Sequence, residues 1–139
     1  LSGATTEAAG SSRLNQLQPA FQAIKKDWLI GAGFGSTITY LSNDPRRRSQ
    51  FPDGYYTAYA LELGYMDIWL KIGFLGILSY LWLTLVIALN LLKHGAMGLA
   101  LFLGLIMLII TNAFSPYLNH PLGIGYLMLC SILADFKND

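Results

Sequence analysis

An uncharged stretch of 21 residues, 72–92, constrains the fold of this chain more than any other feature of the sequence. A helix rises about 1.5 Å per residue, so this length matches the roughly 20 residues that cross about 30 Å of hydrocarbon. Two more apolar runs follow, at 97–114 and 122–134. We therefore predict three membrane helices, at residues 66–92, 97–114 and 122–137.

Charged residues are scarce and unevenly distributed. They make up 12% of the chain, against about a quarter in a typical soluble domain, and 54% of the residues are hydrophobic. After residue 72 the charged residues are Lys93, Asp135, Lys137 and Asp139. This distribution separates a polar segment, 13–65, from a membrane segment, 66–137. The net charge of +1 gives no indication of nucleic acid as a partner.

The polar segment is expected to begin with a loose tail and a helix. Residues 1–12 are mostly Ser, Thr, Ala and Gly, which bury too little apolar surface to offset the entropy cost of ordering. From Arg13 onward apolar side chains recur at steps of three and four, which predicts an amphipathic helix. The apolar positions are Leu14, Leu17, Phe21, Ile24 and Trp28. An interior proline predicts either a kink at Pro19 or a regular part that begins near Pro19, and we favour the second because proline fits the first turn of a helix.

A glycine-rich stretch, 31–35, follows this helix. Three glycines in five positions favour a helix stop or a tight turn. A phosphate-binding loop is the alternative, but the GxGxG spacing lacks both a preceding apolar strand and a following Lys-Ser/Thr. The β-branched and aromatic run at 37–41 predicts an extended piece of loop.

A single carboxylate, Glu62, lies in an aromatic stripe just before the first membrane helix. Interpreted as a helix, the sequence places aromatic residues around it at spacings of three and four. These residues are Tyr55, Tyr59, Tyr65 and Trp69. Asp53 is expected to cap this helix, which we predict to run without a break into the membrane. The predicted fold class is all-α, with integral membrane helices and a large, mostly helical extracytoplasmic loop.

The short polar turns predict an orientation in the membrane. Lys93 with His94, and Lys137, fall on one side, which the positive-inside rule places in the cytoplasm. The polar segment and the turn that carries His120 then face outward. Cations retained on the outer side suggest an anionic ligand there.

With these elements in place, most of residues 12–134 resembles the carboxy-terminal part of the O-antigen ligase and O-antigen polymerase family of bacterial membrane glycosyltransferases. The similarity lies in the order and spacing of four features. They are Arg13-Leu14 opening a helix, Trp28-Leu29-Ile30-Gly31-Ala32-Gly33-Phe34-Gly35 closing it, Tyr65-Met66 and Trp69 leading to Gly73-Phe74-Leu75-Gly76, and a late His120-Pro121. In the ligase pattern a His-Asn pair precedes the span, and these positions fall on Glu62 and Leu63. This departure favours the more varied polymerase branch.

The resemblance implies an active site on an extracytoplasmic loop of a multi-pass protein of the bacterial inner membrane, facing the periplasm or cell exterior. It implies transfer of a glycan from an undecaprenyl pyrophosphate carrier to a sugar hydroxyl, without metal or cofactor, in lipopolysaccharide or exopolysaccharide biosynthesis. Ligation of the glycan to lipid A core is the alternative reaction. The expected partners are the carrier-linked glycan, membrane lipid and the remaining amino-terminal helices, because the chain begins without an initiator Met or a signal-peptide pattern.

Basic residues of the loop are candidates for holding the pyrophosphate, because guanidinium groups match phosphate oxygens bidentately. Arg13 matches an arginine at the head of the loop helix in the family. Arg46, Arg47 and Arg48 match the basic residues of the family only by lying in the same loop. The alternative interpretation is that these three arginines form a basic loop that faces solvent or lipid headgroups.

Glu62 is the candidate for activating the attacking hydroxyl, and His120 is the candidate second catalytic group. The rings of Tyr59, Tyr65 and Trp69 are candidates for stacking on sugar rings. Each has a structural alternative: an ion pair for the carboxylate, a simple loop position for the histidine, and an interfacial belt for the aromatic residues.

Asp67 and Lys71 stand four residues apart with the acid first, so we predict that they form an ion pair within one helix and have no catalytic role.

A different class of function, a non-enzymatic transporter segment or assembly scaffold, also stays open. A transporter is expected to place ionisable residues inside its spans. The runs 72–92 and 97–114 contain none.

Overall fold

The computed structural model describes residues 2–44 and 49–135, and most of these residues are helical. The elements are α1 (Ser2–Lys26), β1 (Ile38–Leu41), β2 (Tyr55–Ala58), α2 (Gly64–Leu91), α3 (Gly95–Asn112), a 3-10 helix (Tyr117–Asn119) and α4 (Pro121–Asp135). Within the described ranges, α2 and α3 are each long and apolar enough to cross a membrane, and Pro121–Ala134 is a shorter apolar helix. The mostly helical character is thus confirmed. Residues 136–137 of the third predicted span lie outside the described residues.

The first helix differs from its prediction in three ways. It begins at Ser2, so residues 2–12 belong to the helix and not to the loose tail expected at 1–12, because extending a formed helix costs far less than starting one. It continues through Pro19 instead of starting there. Its buried face has a spacing of four and consists of Ser12, Gln16, Ala20 and Ile24. Leu14 and Phe21, which belong to the predicted apolar face, are exposed.

A two-stranded antiparallel hairpin replaces the predicted helix around the tyrosines. Ile38 pairs with Ala58 and Tyr40 with Tyr56, and the hydroxyls of Thr39 and Thr57 lie 2.8 Å apart. Aromatic and β-branched residues suit a pleated, half-buried surface, which outweighs the helical spacing of the aromatic residues. Between 27 and 63, the residues that the structure describes are therefore not mostly helical.

Asp53 stabilises the turn of this hairpin and does not cap a helix. Its Oδ1 atom accepts a hydrogen bond from the N–H of Tyr55 at 3.2 Å. The next residue, Gly54, has a φ of 75°, which glycine adopts without steric cost. This is the local bonding by which aspartate favours turns.

The predicted unbroken run into the membrane is also wrong, because α2 is interrupted at Gly73. Its φ of 70° and ψ of −172° lie outside the helical region. The loop after α1 pairs with the backbone groups at this break. The bonds run from the N–H of Ala32 to the carbonyl of Leu70 (2.7 Å), from Gly33 to Lys71 (2.9 Å), from Phe74 to Trp28 (2.9 Å) and from Leu75 to Leu29 (3.2 Å).

We call these contacts between residues 28–33 and 70–75 the glycine joint. A Cβ atom added to Gly31 would lie 2.5 Å from the backbone nitrogen of Gly73, so two backbones meet where side chains have no room. The N–H of Gly31 donates to the carbonyl of Asp27, and those of Ala32 and Gly33 are also bonded to carbonyls. These three N–H groups are committed to the protein, which favours the helix stop over a phosphate loop.

Two hydrophobic cores lie along α2. The first joins α1, the hairpin and the start of α2, and contains Ala20, Ile24, Ile38, Tyr40, Ala58, Leu61 and Leu70. The second lies among α2, α3, the 3-10 helix and α4, and contains Ile68, Ile87, Leu91, Leu105, Leu118, Leu127 and Cys130. Because Ile68 and Leu70 belong to different cores, the first turns of α2 hold the polar segment against the helical bundle.

The turns lie at two ends of the bundle. At one end the Nδ2 atom of Asn119 donates to Oδ2 of Asp67 at 3.2 Å. At the other end Nε2 of His94 lies 3.1 Å from the carbonyl oxygen of Ala134. The turn before His120 therefore lies on the same end as the polar segment, and the turn at residues 93–94 lies on the opposite end.

Candidate functional site

Glu62 lies in the short connection between β2 and α2, directly before the helix that enters the apolar segment. Its backbone N–H donates to Oε1 of Gln16 on α1 at 3.3 Å, and the Gln16 side chain is buried. The neighbouring residue, Leu61, belongs to the first core. The backbone that carries this carboxylate is therefore fixed from both α1 and the core.

The structure brings together two of the predicted site residues, Arg13 and Glu62. The Nε atom of Arg13 donates to Oε2 of Glu62 at 2.8 Å, across 49 positions of the chain. The side chains are 48% and 35% exposed, so the pair is open to solvent and to a ligand. Arginine carries five N–H donors, and this bond engages the one on Nε. The guanidinium can thus hold the carboxylate and bind an anion at its outer edge.

A small pocket opens beside this pair. Its cavity of about 120 Å³ is lined by Gln16, Tyr40, Tyr56, Ala58, Tyr59, Ala60 and Glu62. Three tyrosine rings and one carboxylate therefore surround a single space. Tyr59 is 73% exposed, and among the predicted aromatic residues it alone lines this pocket. Aromatic faces next to a carboxylate are typical of sites that bind polar ring compounds such as sugars.

The predicted pair of Asp67 and Lys71 is confirmed, but it is buried. Nζ of Lys71 donates to Oδ2 of Asp67 at 2.8 Å, and the two residues are 8% and 1% exposed respectively. Oδ1 of Asp67 accepts the N–H of Leu61 at 2.9 Å, and Oδ2 also accepts Nδ2 of Asn119. Asp67 thus connects the backbone next to Glu62 with the turn that precedes His120.

Tyr65 and Trp69 lie in the packing between elements and not in the pocket beside Glu62. The Tyr65 hydroxyl donates to the carbonyl of Ile109 at 2.8 Å, and Nε1 of Trp69 donates to the carbonyl of Trp28 at 2.9 Å. Tyr65 packs against the second core and Trp69 against the first. Both polar groups are used within the protein, and the geometry favours a structural role for these two residues.

His120 belongs to a separate pocket, which shares no lining residue with the pocket beside Glu62. It is lined by Ser115, Pro116, Tyr117, His120 and Leu122 and has a volume of about 210 Å³. The imidazole is exposed, its centroid lies 6.0 Å from the Tyr117 ring, and the N–H of Leu122 lies 3.4 Å from its Nδ1 atom. The structure therefore supports the assignment of Glu62 and His120 to one end of the bundle, and not to one pocket.

The three predicted loop arginines, Arg46, Arg47 and Arg48, lie outside the described residues. Across 2–44 and 49–135, no group of three or more His, Cys, Asp and Glu side chains comes together as metal ligands would.

Two residues that hold this candidate site in place were missed by sequence reasoning. Gln16 fixes the Glu62 backbone, and Asn119 extends the bonds of Asp67. The signal for Gln16 is its place in the four-residue spacing with Ser12, Ala20 and Ile24, which marks the buried face of α1. The signal for Asn119 is weaker, since it consists only of the place of Asn119 next to His120 in the sequence.

Comparisons of the chain with protein-family models, with curated proteins and with solved structures each find no match.

Proposed function

We propose that this chain is part of a membrane glycosyltransferase of the O-antigen polymerase type. In this proposal a polyprenyl-pyrophosphate-linked glycan is the donor, and a hydroxyl of a second carrier-linked glycan is the acceptor. The observation that carries the proposal is the Arg13–Glu62 pair at a tyrosine-lined pocket, directly before α2. A pair of this kind offers an acceptor for a hydroxyl proton and a cation for a phosphate at the same place.

The chemistry requires one bond to form and one to break at the donor sugar. The acceptor hydroxyl oxygen attacks the anomeric carbon, its proton passes to the Glu62 carboxylate, and the carbon–oxygen bond to the pyrophosphate breaks. The leaving pyrophosphate takes the bonding electrons, and the outer edge of the Arg13 guanidinium stabilises its charge. Tyr59 supports the acceptor sugar, because its exposed ring lines the same pocket.

The same geometry supports a membrane setting for this reaction. Glu62 precedes α2 by two residues, and α2 is long and apolar enough to cross a bilayer. The carboxylate then lies near the depth of lipid phosphates, where the carrier's pyrophosphate is held. In the proposed orientation this end faces the periplasm or cell exterior, and the turn at residues 93–94 faces the cytoplasm.

A second candidate, a transporter segment, is favoured by one observation, the buried pair of Asp67 and Lys71. Ionisable residues enclosed by membrane helices often mark ion or substrate pathways. This pair lies at the end of the bundle and not at its middle, since Asp67 contacts the turn at Asn119. We therefore rank the transfer reaction first.

The test uses the full-length protein in nanodiscs with a purified polyprenyl-pyrophosphate-linked repeat unit. Growth of the glycan on gels, with release of the carrier pyrophosphate, is the expected result. Glu62→Gln should lower turnover by about 10²–10⁴-fold, the typical loss for a general base. Asp53→Asn is the matched control, because the amide oxygen can still accept the bond from the Tyr55 N–H. Transfer only when lipid A core is supplied would indicate a ligase, and no transfer with either acceptor would contradict the proposal.

A further inference from the structure

The loop of the glycine joint exposes large apolar side chains close to the start of the apolar run of α2. Ile30 is 72% exposed, Phe34 is 66% exposed and Trp28 is 53% exposed. No charged residue occurs between positions 28 and 43 of the sequence. Side chains of this kind, grouped on one loop, mark a surface that another apolar phase covers.

The depth of the loop is set by its backbone bonds to α2. Ala32 and Gly33 bond to the carbonyls of residues 70 and 71, and the carbonyls of Trp28 and Leu29 bond to the N–H groups of residues 74 and 75. The uncharged run of α2 starts at residue 72. The loop therefore lies level with the first turn of the segment that crosses the membrane.

The exposed loop surface is continuous with the exposed surface of α2. The rings of Trp28 and Phe74 have centroids 6.3 Å apart, and Phe74 and Leu75 are themselves exposed on the helix. A bilayer that covers these α2 side chains also reaches the loop bonded to them. Tryptophan is enriched at the level of lipid headgroups, and Trp28 lies at the start of the loop.

Two features make this position compatible with lipid. Irregular backbone is tolerated at membrane depth where its polar groups are satisfied within the protein, and the glycine joint bonds the groups of Trp28, Leu29, Ala32 and Gly33. Lys25 and Lys26, both exposed, end α1 just before the loop. Their charges suit the phosphate layer of an anionic leaflet.

We propose that residues 28–34 form a re-entrant loop whose apolar side chains insert into one leaflet beside the start of α2, with Lys25 and Lys26 at the phosphate level. The occupant of this surface is the acyl region of the bilayer. The proposal depends on α2 crossing the membrane, and it does not depend on the transfer chemistry at Glu62.

The test places an environment-sensitive fluorophore on a cysteine at Ile30 of the full-length protein, with Cys130 replaced by Ala. The protein is reconstituted in nanodiscs of phosphatidylcholine and phosphatidylglycerol that contain lipids spin-labelled near the headgroup or near the chain end. The expected result is blue-shifted emission, with strong quenching by the shallow label and weak quenching by the deep label. Phe34→Cys provides a second position, in case the first label disturbs the joint.

A labelled control fixes the depth scale. A probe at Trp82, which is 69% exposed in the middle of α2, should be quenched by the deep label. Blue-shifted emission without quenching at both loop positions would mean that protein covers the loop, and emission typical of water would mean that nothing does. Either outcome overturns the proposal, as does an unquenched probe at Trp82, which would also remove α2 from the membrane. Glycan transfer by the unlabelled protein is measured separately, so the proposed transfer reaction is tested independently of the insertion of the loop.

Discussion

The Nε atom of Arg13 on α1 donates a hydrogen bond to Oε2 of Glu62, 2.8 Å away and 49 residues later in the chain. The sequence makes the two residues candidates for different steps of one reaction, and the structure places them in contact. The contact also fits the simpler account, in which the two charges only hold the polar segment together. An experiment that keeps the ion pair but exchanges the two charges between positions 13 and 62 distinguishes these two accounts.

The exchange of the two charges, Arg13→Glu with Glu62→Arg, should leave the protein folded and without transfer activity. An exposed pair contributes about 0–1 kcal/mol to stability, so neither the single variants nor the exchanged pair should lower the membrane level of the protein much. Activity is measured as glycan growth in nanodiscs. Recovery of activity in the exchanged pair, after loss in both single variants, would assign Arg13 and Glu62 to structure alone.

Replacement of Asp67 by Asn should destabilise the protein far more than loss of the Arg13–Glu62 pair. The substitution keeps the size of the side chain but leaves the Lys71 ammonium buried without its carboxylate, a change that costs about 3–5 kcal/mol. The measurement is thermal unfolding of the detergent-solubilised protein. Addition of Lys71→Met should restore much of the loss, because the unpaired charge is gone. Equal unfolding temperatures for Asp67→Asn and Arg13→Gln would show that burial of the pair has no energetic consequence.

The glycines of the loop should differ in their tolerance of alanine in a definite order. Gly35→Ala meets open space at an ordinary φ and should change stability by less than about 0.5 kcal/mol. Gly33→Ala meets open space at a φ of 87°, so it should cost about 1–2 kcal/mol of backbone strain. Gly31→Ala adds a Cβ atom 2.5 Å from the Gly73 nitrogen and should cost more than either. Unfolding temperatures test this order, and equal values for Gly31→Ala and Gly35→Ala would show that the joint is not closely packed.

Tyr59 and Tyr65 should respond to substitution in opposite ways. Tyr59→Ala should lower kcat/KM by roughly 2–10-fold with little change in stability, which is the range expected from about 0.5–1.5 kcal/mol of ring contact. Tyr65→Phe removes the hydrogen bond to the Ile109 carbonyl and should cost about 0.5–1.5 kcal/mol of stability without a direct effect on substrate. Kinetics and thermal unfolding of both variants provide the comparison. A kcat/KM loss for Tyr65→Phe in fully folded protein would place that hydroxyl in the site.

The apolar helices could be predicted well because their signal is local. The uncharged run at 72–92 fixes a helix by length and hydropathy alone, and the structure has α2 there. The break inside α2 was not predicted, because a glycine in an apolar run is compatible with an intact helix. Its cause lies in the partner loop, which is distant in the sequence and whose backbone bonds to the backbone of α2, as the bond from the N–H of Phe74 to the Trp28 carbonyl shows.

The polar segment was harder to predict because several patterns competed. The spacing of Tyr55, Tyr59 and Glu62 fits a helix, whereas the run of Tyr, Thr and Ala at 55–58 also fits a strand, and the partner strand decided between them. On α1 the large apolar side chains suggested one face, and the smaller residues Ala20 and Ser12 occupy the buried one. Close packing against a hairpin favours small side chains, and single-sequence periodicity has no means of weighing this.

The contact of Leu70 on α2 with the first core has a consequence for the order of events during synthesis. Leu70 closes the first core, which otherwise consists of residues from α1, the hairpin and their connection to α2. When the ribosome has made α1 and the hairpin, the carbonyls of Trp28 and Leu29 and the N–H groups of Ala32 and Gly33 still lack their α2 partners. The amino-terminal unit therefore stays open until the first turns of α2, up to residue 75, have been made.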